Sequence, residues 1–188
     1  MILFGVGGLI GSGKSTLSKY LKERYNAYLI NADLISKKVI YEPKVIEFLN
    51  KYIPNFYING IIDRKKVGDV IFNDYNLNEK FIKIIWPLIT EEIKKIIEKV
   101  SNEYDYVIVE AAIISGIQLN YNKTIFIERD ESKRVLNVHK RDKRNVEQIK
   151  KISDYQKRKL ENKHFDYIIK NNGNLKDLYK KIDAIFIN

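Results

Sequence analysis

The sequence predicts an α/β fold in which helices cover both faces of a five-stranded parallel sheet, a three-layer α/β/α arrangement. Three observations point there. Strand and helix patterns alternate along all 188 residues, as in a parallel sheet whose crossovers are helices. The chain opens on an apolar run that passes through a glycine-rich loop straight into an amphipathic helix. No repeat, low-complexity tract or linker divides it, so residues 1–188 read as one domain, long enough to bury a substantial core.

The opening run, Ile2-Leu3-Phe4-Gly5-Val6, is the first strand. It leads to Gly8-Leu9-Ile10-Gly11-Ser12-Gly13-Lys14-Ser15, a complete G-x-x-x-x-G-K-S phosphate loop, which places the fold among the P-loop NTPases. Each residue type there has a physical task. Gly8, Gly11 and Gly13 permit backbone angles closed to other residues, so successive N–H groups can turn inward around phosphate oxygens. The following helix adds the positive end of its dipole. Lys14 brings a compact charge to the β- and γ-phosphates, and the Ser15 hydroxyl suits Mg²⁺. The phosphate-binding set is Gly8, Gly11, Ser12, Gly13, Lys14, Ser15 and Thr16, with Ser15 the metal ligand. A bound nucleoside triphosphate is expected.

A second strand at 27–30 ends in Asn31-Ala32-Asp33. Residues 34–100 hold no strand pattern and read as several helices broken at Pro43, Pro54, Gly60 and Pro87. A central strand at 104–109 closes on Glu110, and another strand spans 123–127. Residues 131–163 are again helical and strongly charged. The last strand, 167–169, turns through Asn171-Asn172-Gly173 into a terminal helix at 175–187. The two helical excursions, about 34–100 and about 131–163, have the layout of an acceptor-binding insertion and a lid that keep water from a transferring phosphate.

Asp33 falls beside the ligand pocket of a doubly wound sheet. There it can accept the proton of an attacking hydroxyl or hold Mg²⁺ through water; equally, it can simply cap the next helix. Glu110 lies where a Walker-B carboxylate would orient magnesium water, or where a buried strand ends on a polar residue. Arg129, Arg134, Arg141 and Arg144 bracket the second excursion, and a planar guanidinium matches the spread charge of a transferring phosphoryl group. Arg141, beside Asp142 at a predicted helix end, is the strongest candidate; others belong to a solvated helix face. His139 and His164 lack metal-ligand spacing and read as surface residues.

Composition narrows the function. With 34 Lys and Arg against 24 Asp and Glu the formal charge is +10, which raises the possibility of nucleic acid. The lysines, however, are interspersed with acids, as in Glu91-Glu92-Ile93-Lys94-Lys95, which is the pattern of a solvated helix face. Polyanionic small molecules fit that charge better, so no nucleic-acid partner is expected. The absence of cysteine excludes disulfides and thiolate metal sites. No segment reads as a membrane span or a leader, and a cytoplasmic monomer or weak homo-oligomer is expected.

These residues resemble one family, dephospho-coenzyme A kinase. The likeness rests on the opening strand and loop, Asn31-Ala32-Asp33, the Gly60-Ile61-Ile62-Asp63-Arg64 element with Val70-Ile71-Phe72, the pair Arg141-Asp142, Gln156 as a lid glutamine, and the closing Asn171-Asn172-Gly173. It spans nearly the whole chain. The resemblance implies transfer of phosphate from ATP, with Mg²⁺, to the ribose 3′-hydroxyl of dephospho-coenzyme A. It implies Lys14, Asp33 and Arg141 as catalytic residues, with Asp33 the base near that hydroxyl and Arg141 on the transferring phosphate. Arg64 would contact the acceptor and Asn172-Gly173 the adenine of ATP. The chain departs from the family pattern at Asn31, at Trp86-Pro87, across Ala111-Ala112-Ile113-Ile114-Ser115-Gly116, and at Arg134 and Asn137 in the lid. Two other readings remain at this point: a P-loop kinase of a nucleoside or nucleotide, and an NTP-dependent binding or switch module.

Overall fold

The first strand, β1 (Ile2–Gly8), is the centre of the molecule, because its apolar residues are wanted on both faces at once. Phe4 and Val6 point to one face; Leu3 points to the other. The computed structural model describes residues 1–186, and Ile187, expected in the terminal helix, lies outside them. After β1 come α1 (Lys14–Tyr25), β2 (Tyr28–Asn31), α2 (Ala32–Val39), α3 (Pro43–Tyr52), β3 (Tyr57–Ile58), β4 (Ile61–Ile62), α4 (Arg64–Asn73) and α5 (Tyr75–Val100). The second half holds β5 (Tyr106–Glu110), β6 (Lys123–Glu128), α6 (Glu131–Asp142), α7 (Val146–Leu160), β7 (Tyr167–Lys170) and α8 (Leu175–Phe186).

Five strands form one parallel sheet in the order β2-β5-β1-β6-β7, as the alternating pattern predicts. From β1 the chain crosses to the edge at β2, returns to β5 beside β1, and then passes over β1 to β6 and β7, so the winding reverses at the carboxyl end of β1. Ligands bind at that point in such sheets. The period of two along each strand builds the two cores. Phe4, Val6, Ile108, Ile125 and Ile127 meet Leu17 and Leu21 of α1 and Ile182 of α8. Leu3, Val107 and Val109 meet Ile35 of α2 and Ile85, Ile89 and Ile93 of α5. Fully burying one such side chain contributes roughly 1.5–3 kcal/mol.

Two expectations for residues 34–100 are corrected. The segment contains strands: β3 and β4 pair antiparallel around Asn59 and Gly60, both with positive φ (51° and 80°). Asn-Gly is the sequence that such a two-residue turn requires, since both central residues must be left-handed. Strands of only two residues leave too short an alternation to be read from the sequence. Nor does Pro87 break a helix, for it lies inside the 26-residue α5. Its missing N–H leaves the Lys83 carbonyl without an intrahelical donor, on a stretch of the helix where Lys83 and Pro87 are both exposed. The other two prolines behave as expected: Pro43 starts α3, and Pro54 follows its end. The insertion has its own core of Val45, Leu49, Ile53, Phe56, Ile62 and Val67, continued by Leu77 at the start of α5. No helix among the described residues is long and apolar enough to cross a membrane.

Candidate active site

The phosphate loop joins the end of β1 to α1 and is held from behind by a residue the sequence reading did not single out. Asn171, buried just past β7, donates from Nδ2 to the Ser12 carbonyl at 2.8 Å. Gly13, at φ 105°, occupies that contact; a Cβ there would meet the same nitrogen at 2.4 Å. The backbone at position 13 must be left-handed and also bare, which only glycine allows. The motif Asn171-Asn172-Gly173 was legible, but its first residue, not only the pair after it, touches the loop.

Lys14 is buried at the head of α1, and its ammonium donates to the carbonyls of Gly8 (2.8 Å) and Leu9 (3.3 Å). Burial lowers its pKa below the usual lysine value, against the pull of Glu110 and Asp33, while Arg141 and Arg134 lower it further. Next to it, the Ser15 hydroxyl donates to Oε1 of Glu110 at 2.6 Å. The other carboxylate oxygen of Glu110 is buried with no hydrogen-bond partner, as is the Ser12 hydroxyl. Buried polar atoms without partners are costly. The unpartnered Glu110 oxygen belongs to the carboxylate bonded to the Ser15 hydroxyl, so these two residues fit a Mg²⁺ brought in with a nucleotide. Among the described residues no cluster of three or more acids or histidines could hold a metal by itself. Such an ion would take its remaining ligands from phosphate and water.

The helix-cap reading of Asp33 is settled by its neighbour. Asn31 is the N-cap of α2, its Oδ1 accepting from the Leu34 N–H at 3.1 Å. Asp33 lies in the first turn with an exposed side chain. Its carboxylate therefore has no capping duty, and the departure at Asn31 is the residue that performs it.

The arginines part company. Arg134 is 2% exposed and donates to the carbonyls of Ile10 and Arg129 and to the Ser153 hydroxyl. It pins α6 and α7 to the loop; the solvated-face reading fails for it because a charged helix can turn one guanidinium inward. Gln156 of α7 does the same, its Oε1 accepting from the Ile10 N–H at 2.8 Å. Arg141 ends α6 in a two-bond ion pair with Asp142, its side chain 64% exposed. Both His139 and His164 are exposed, as expected.

Two cavities meet here. The first, of about 670 Å³, is polar: Lys14, Ser15 and Thr16 line it together with Glu110, Arg129 and Arg141. Gly11, Gly13 and Arg144 also face it. The second, of about 310 Å³, lies between α2, α4, α5 and α7 and is lined mainly by apolar side chains, with Arg64 among its few charged ones. Asp33, Ala112 and Gln156 line both. Asn172 lines neither; its amide is doubly bonded to Asp130, in a separate groove behind the loop shared with Leu9 and Arg129. Gly173, exposed beside it, lies against Asp177.

Two of the departures from the family pattern fit each other. The Trp86 indole lines the apolar cavity and also covers Gly116, where a Cβ would meet its ring at 2.8 Å. The large ring and the missing side chain occupy one volume.

Comparison with known proteins bears on the family and the fold. A family model described as dephospho-CoA kinase matches residues 2–177. A dephospho-CoA kinase of Fusobacterium nucleatum is 35% identical over 97% of this chain and 96% of its own length. Among solved structures, TT1252 from Thermus thermophilus superposes with a TM-score of 0.76 at 21% identity, covering 99% of this chain and 96% of its own. A dephospho-CoA kinase from Campylobacter jejuni superposes at 0.66 with 24% identity, covering 98% and 94%. At these identities the superpositions bear on the fold alone, which is that of the P-loop kinases.

Proposed function

We propose, because this chain belongs to the dephospho-CoA kinase family, that the polar cavity takes ATP, the apolar cavity takes dephospho-CoA, and Asp33 acts where they meet. The reaction is ATP-dependent phosphorylation of the ribose 3′-hydroxyl of dephospho-CoA, which completes coenzyme A. The observation that carries the site assignment is the seam: a single exposed carboxylate lines both the phosphate-loop cavity and an apolar cavity suited to a long, largely uncharged arm.

In this assignment Lys14 exchanges its Gly8 and Leu9 carbonyls for the β- and γ-phosphates, and the loop N–H groups from Gly11 to Thr16 cradle them. Magnesium, when bound with ATP, would offset the negative charge developing on the phosphate oxygens. Ser15 would hold it and Glu110 would orient its water. Arg64, exposed at the start of α4, contacts the charged half of the acceptor. Asp33 accepts the 3′-hydroxyl proton as the oxygen–phosphorus bond forms and the bond to ADP breaks. Arg141, released from Asp142, spreads over the transferring phosphoryl group. Residues 131–163 are the lid and residues 34–100 the acceptor-binding insertion; the adenine reaches past Arg129, which lines both grooves, from the polar cavity into the groove of Asn172, beside Gly173. The working location is the cytoplasm, as a monomer or weak homo-oligomer, with no nucleic-acid partner.

The test is ADP release from purified protein with ATP and Mg²⁺, with and without dephospho-CoA. Release that depends on the acceptor, with coenzyme A as product, is expected; release indifferent to the acceptor would contradict the assignment.

A further inference from the structure

The wall of the acceptor cavity contains one polar group out of keeping with its surroundings. Asn78, the fourth residue of α5, is 3% exposed and lines the cavity among Ile71, Phe72, Ile82, Ile85 and Trp86. Its Oδ1 accepts a hydrogen bond from the Tyr155 hydroxyl of α7 at 2.8 Å. That bond fixes which way the amide faces. Burial pushes the Tyr155 hydroxyl up to about 12, so it remains a donor throughout the working pH range. With Oδ1 committed to Tyr155, the Asn78 amide leaves Nδ2 as a donor with no hydrogen-bond acceptor among the described residues.

The arrangement is held from several sides. Phe72 packs edge-on against the Tyr155 ring at 5.3 Å between centroids. One turn along α7, Lys159 pairs with Glu79, the residue after Asn78, and lies over the rings of Tyr75, Trp86 and Tyr155. The neighbouring Gln156 meanwhile bonds the phosphate loop. Consecutive residues of one helix thus fix the walls of both cavities.

A neutral, fixed donor in an apolar wall matches a neutral acceptor oxygen. A phosphate or carboxylate would need a cation beside it, and a hydroxyl could pair in either sense, but an amide carbonyl only accepts. We propose that Asn78 Nδ2 donates to an amide carbonyl in the arm of the acceptor and so selects acceptors that carry an amide chain. The assignment rests on the reading of this cavity as the dephospho-CoA site, whose arm carries secondary amides. Asn78 is on this view a specificity residue that binds the arm and takes no part in the chemistry, and Tyr155 is the positioning residue that orients it.

Steady-state kinetics of Asn78→Leu test it, since leucine keeps the volume and removes the donor. The KM for dephospho-CoA should rise about tenfold, the usual loss for one well-placed hydrogen bond. The kcat at saturating acceptor and the KM for ATP should stay within about twofold. If Asn78→Leu fails to fold because it strands the Tyr155 hydroxyl, the pair Asn78→Leu/Tyr155→Phe leaves neither partner unpaired and carries the same expectation. An unchanged acceptor KM overturns the proposal. So does a parallel loss of kcat, ATP affinity and melting temperature, which would make Asn78 merely structural. If the wild-type protein does not phosphorylate dephospho-CoA, the reading of the site fails first, visibly and before any variant is compared.

Discussion

The Ser15 hydroxyl donates a 2.6 Å hydrogen bond to Oε1 of Glu110, tying the first turn of α1 to the end of β5. The second oxygen of that carboxylate is buried without a partner. A nucleotide-bound cation would take the serine oxygen and hand water to the carboxylate, so the pair fits the Mg²⁺ role proposed for it. Replacing Glu110 by Gln should keep the fold and raise the Mg²⁺ concentration needed for half-maximal turnover by about tenfold or more. A Mg²⁺ titration of ADP release checks this, and an unchanged midpoint would make Glu110 a strand-end residue only.

Lys14 carries a cost that binding relieves. Burial lowers its pKa from 10.5, so holding it charged destabilises the ligand-free protein. That cost is fully present below the folded pKa and fades as pH rises toward the unfolded value. Lys14→Met should therefore abolish turnover yet raise the melting temperature at neutral pH, with a gain that shrinks in alkaline solution. Each kcal/mol recovered is worth about 2–4 °C in a chain of this size. A lower melting temperature at pH 7 would show that the Gly8 and Leu9 hydrogen bonds outweigh the burial cost.

Arg141 lines the polar cavity with its guanidinium paired to Asp142. The assigned role requires it to change partner during turnover. Arg141→Ala should lower kcat by roughly 10³-fold or more with a small effect on acceptor KM. Equal kcat in the variant, measured by ADP release at saturating substrates, would return Arg141 to the solvated helix end.

Trp86 is the chain's single tryptophan and lines the acceptor cavity. Its fluorescence should respond to dephospho-CoA and stay unchanged with ATP alone, which makes a titration a direct reading of acceptor binding. An equal response to ATP would mean that the two cavities are not separately occupied.

The sheet, the phosphate loop and the sheet-covering helices were legible because each rests on a local pattern: apolar runs, glycine spacing and helical periodicity. Long-range contacts were not. Asn171 under the loop and Asn78 against Tyr155 are set by residues 159 and 77 positions away, which no window on the sequence spans. Arg134 was hidden by its context, since a charged helix conceals the one guanidinium that turns inward. The β3–β4 hairpin was announced by Asn59-Gly60 but flanked by strands too short to alternate. Pro87 marked a break that an exposed position on α5 makes unnecessary. For Asp33 the sequence left capping and chemistry open, and the structure removes the capping duty by giving it to Asn31.

Asp33 lines the two cavities together, and the central claim is that it takes the proton of the acceptor hydroxyl there. The direct measurement is the kcat of Asp33→Asn with saturating ATP and dephospho-CoA, alongside calorimetric binding of each. A fall of roughly 10²–10⁴-fold in kcat with both affinities nearly intact is the predicted result. An unchanged kcat would contradict it.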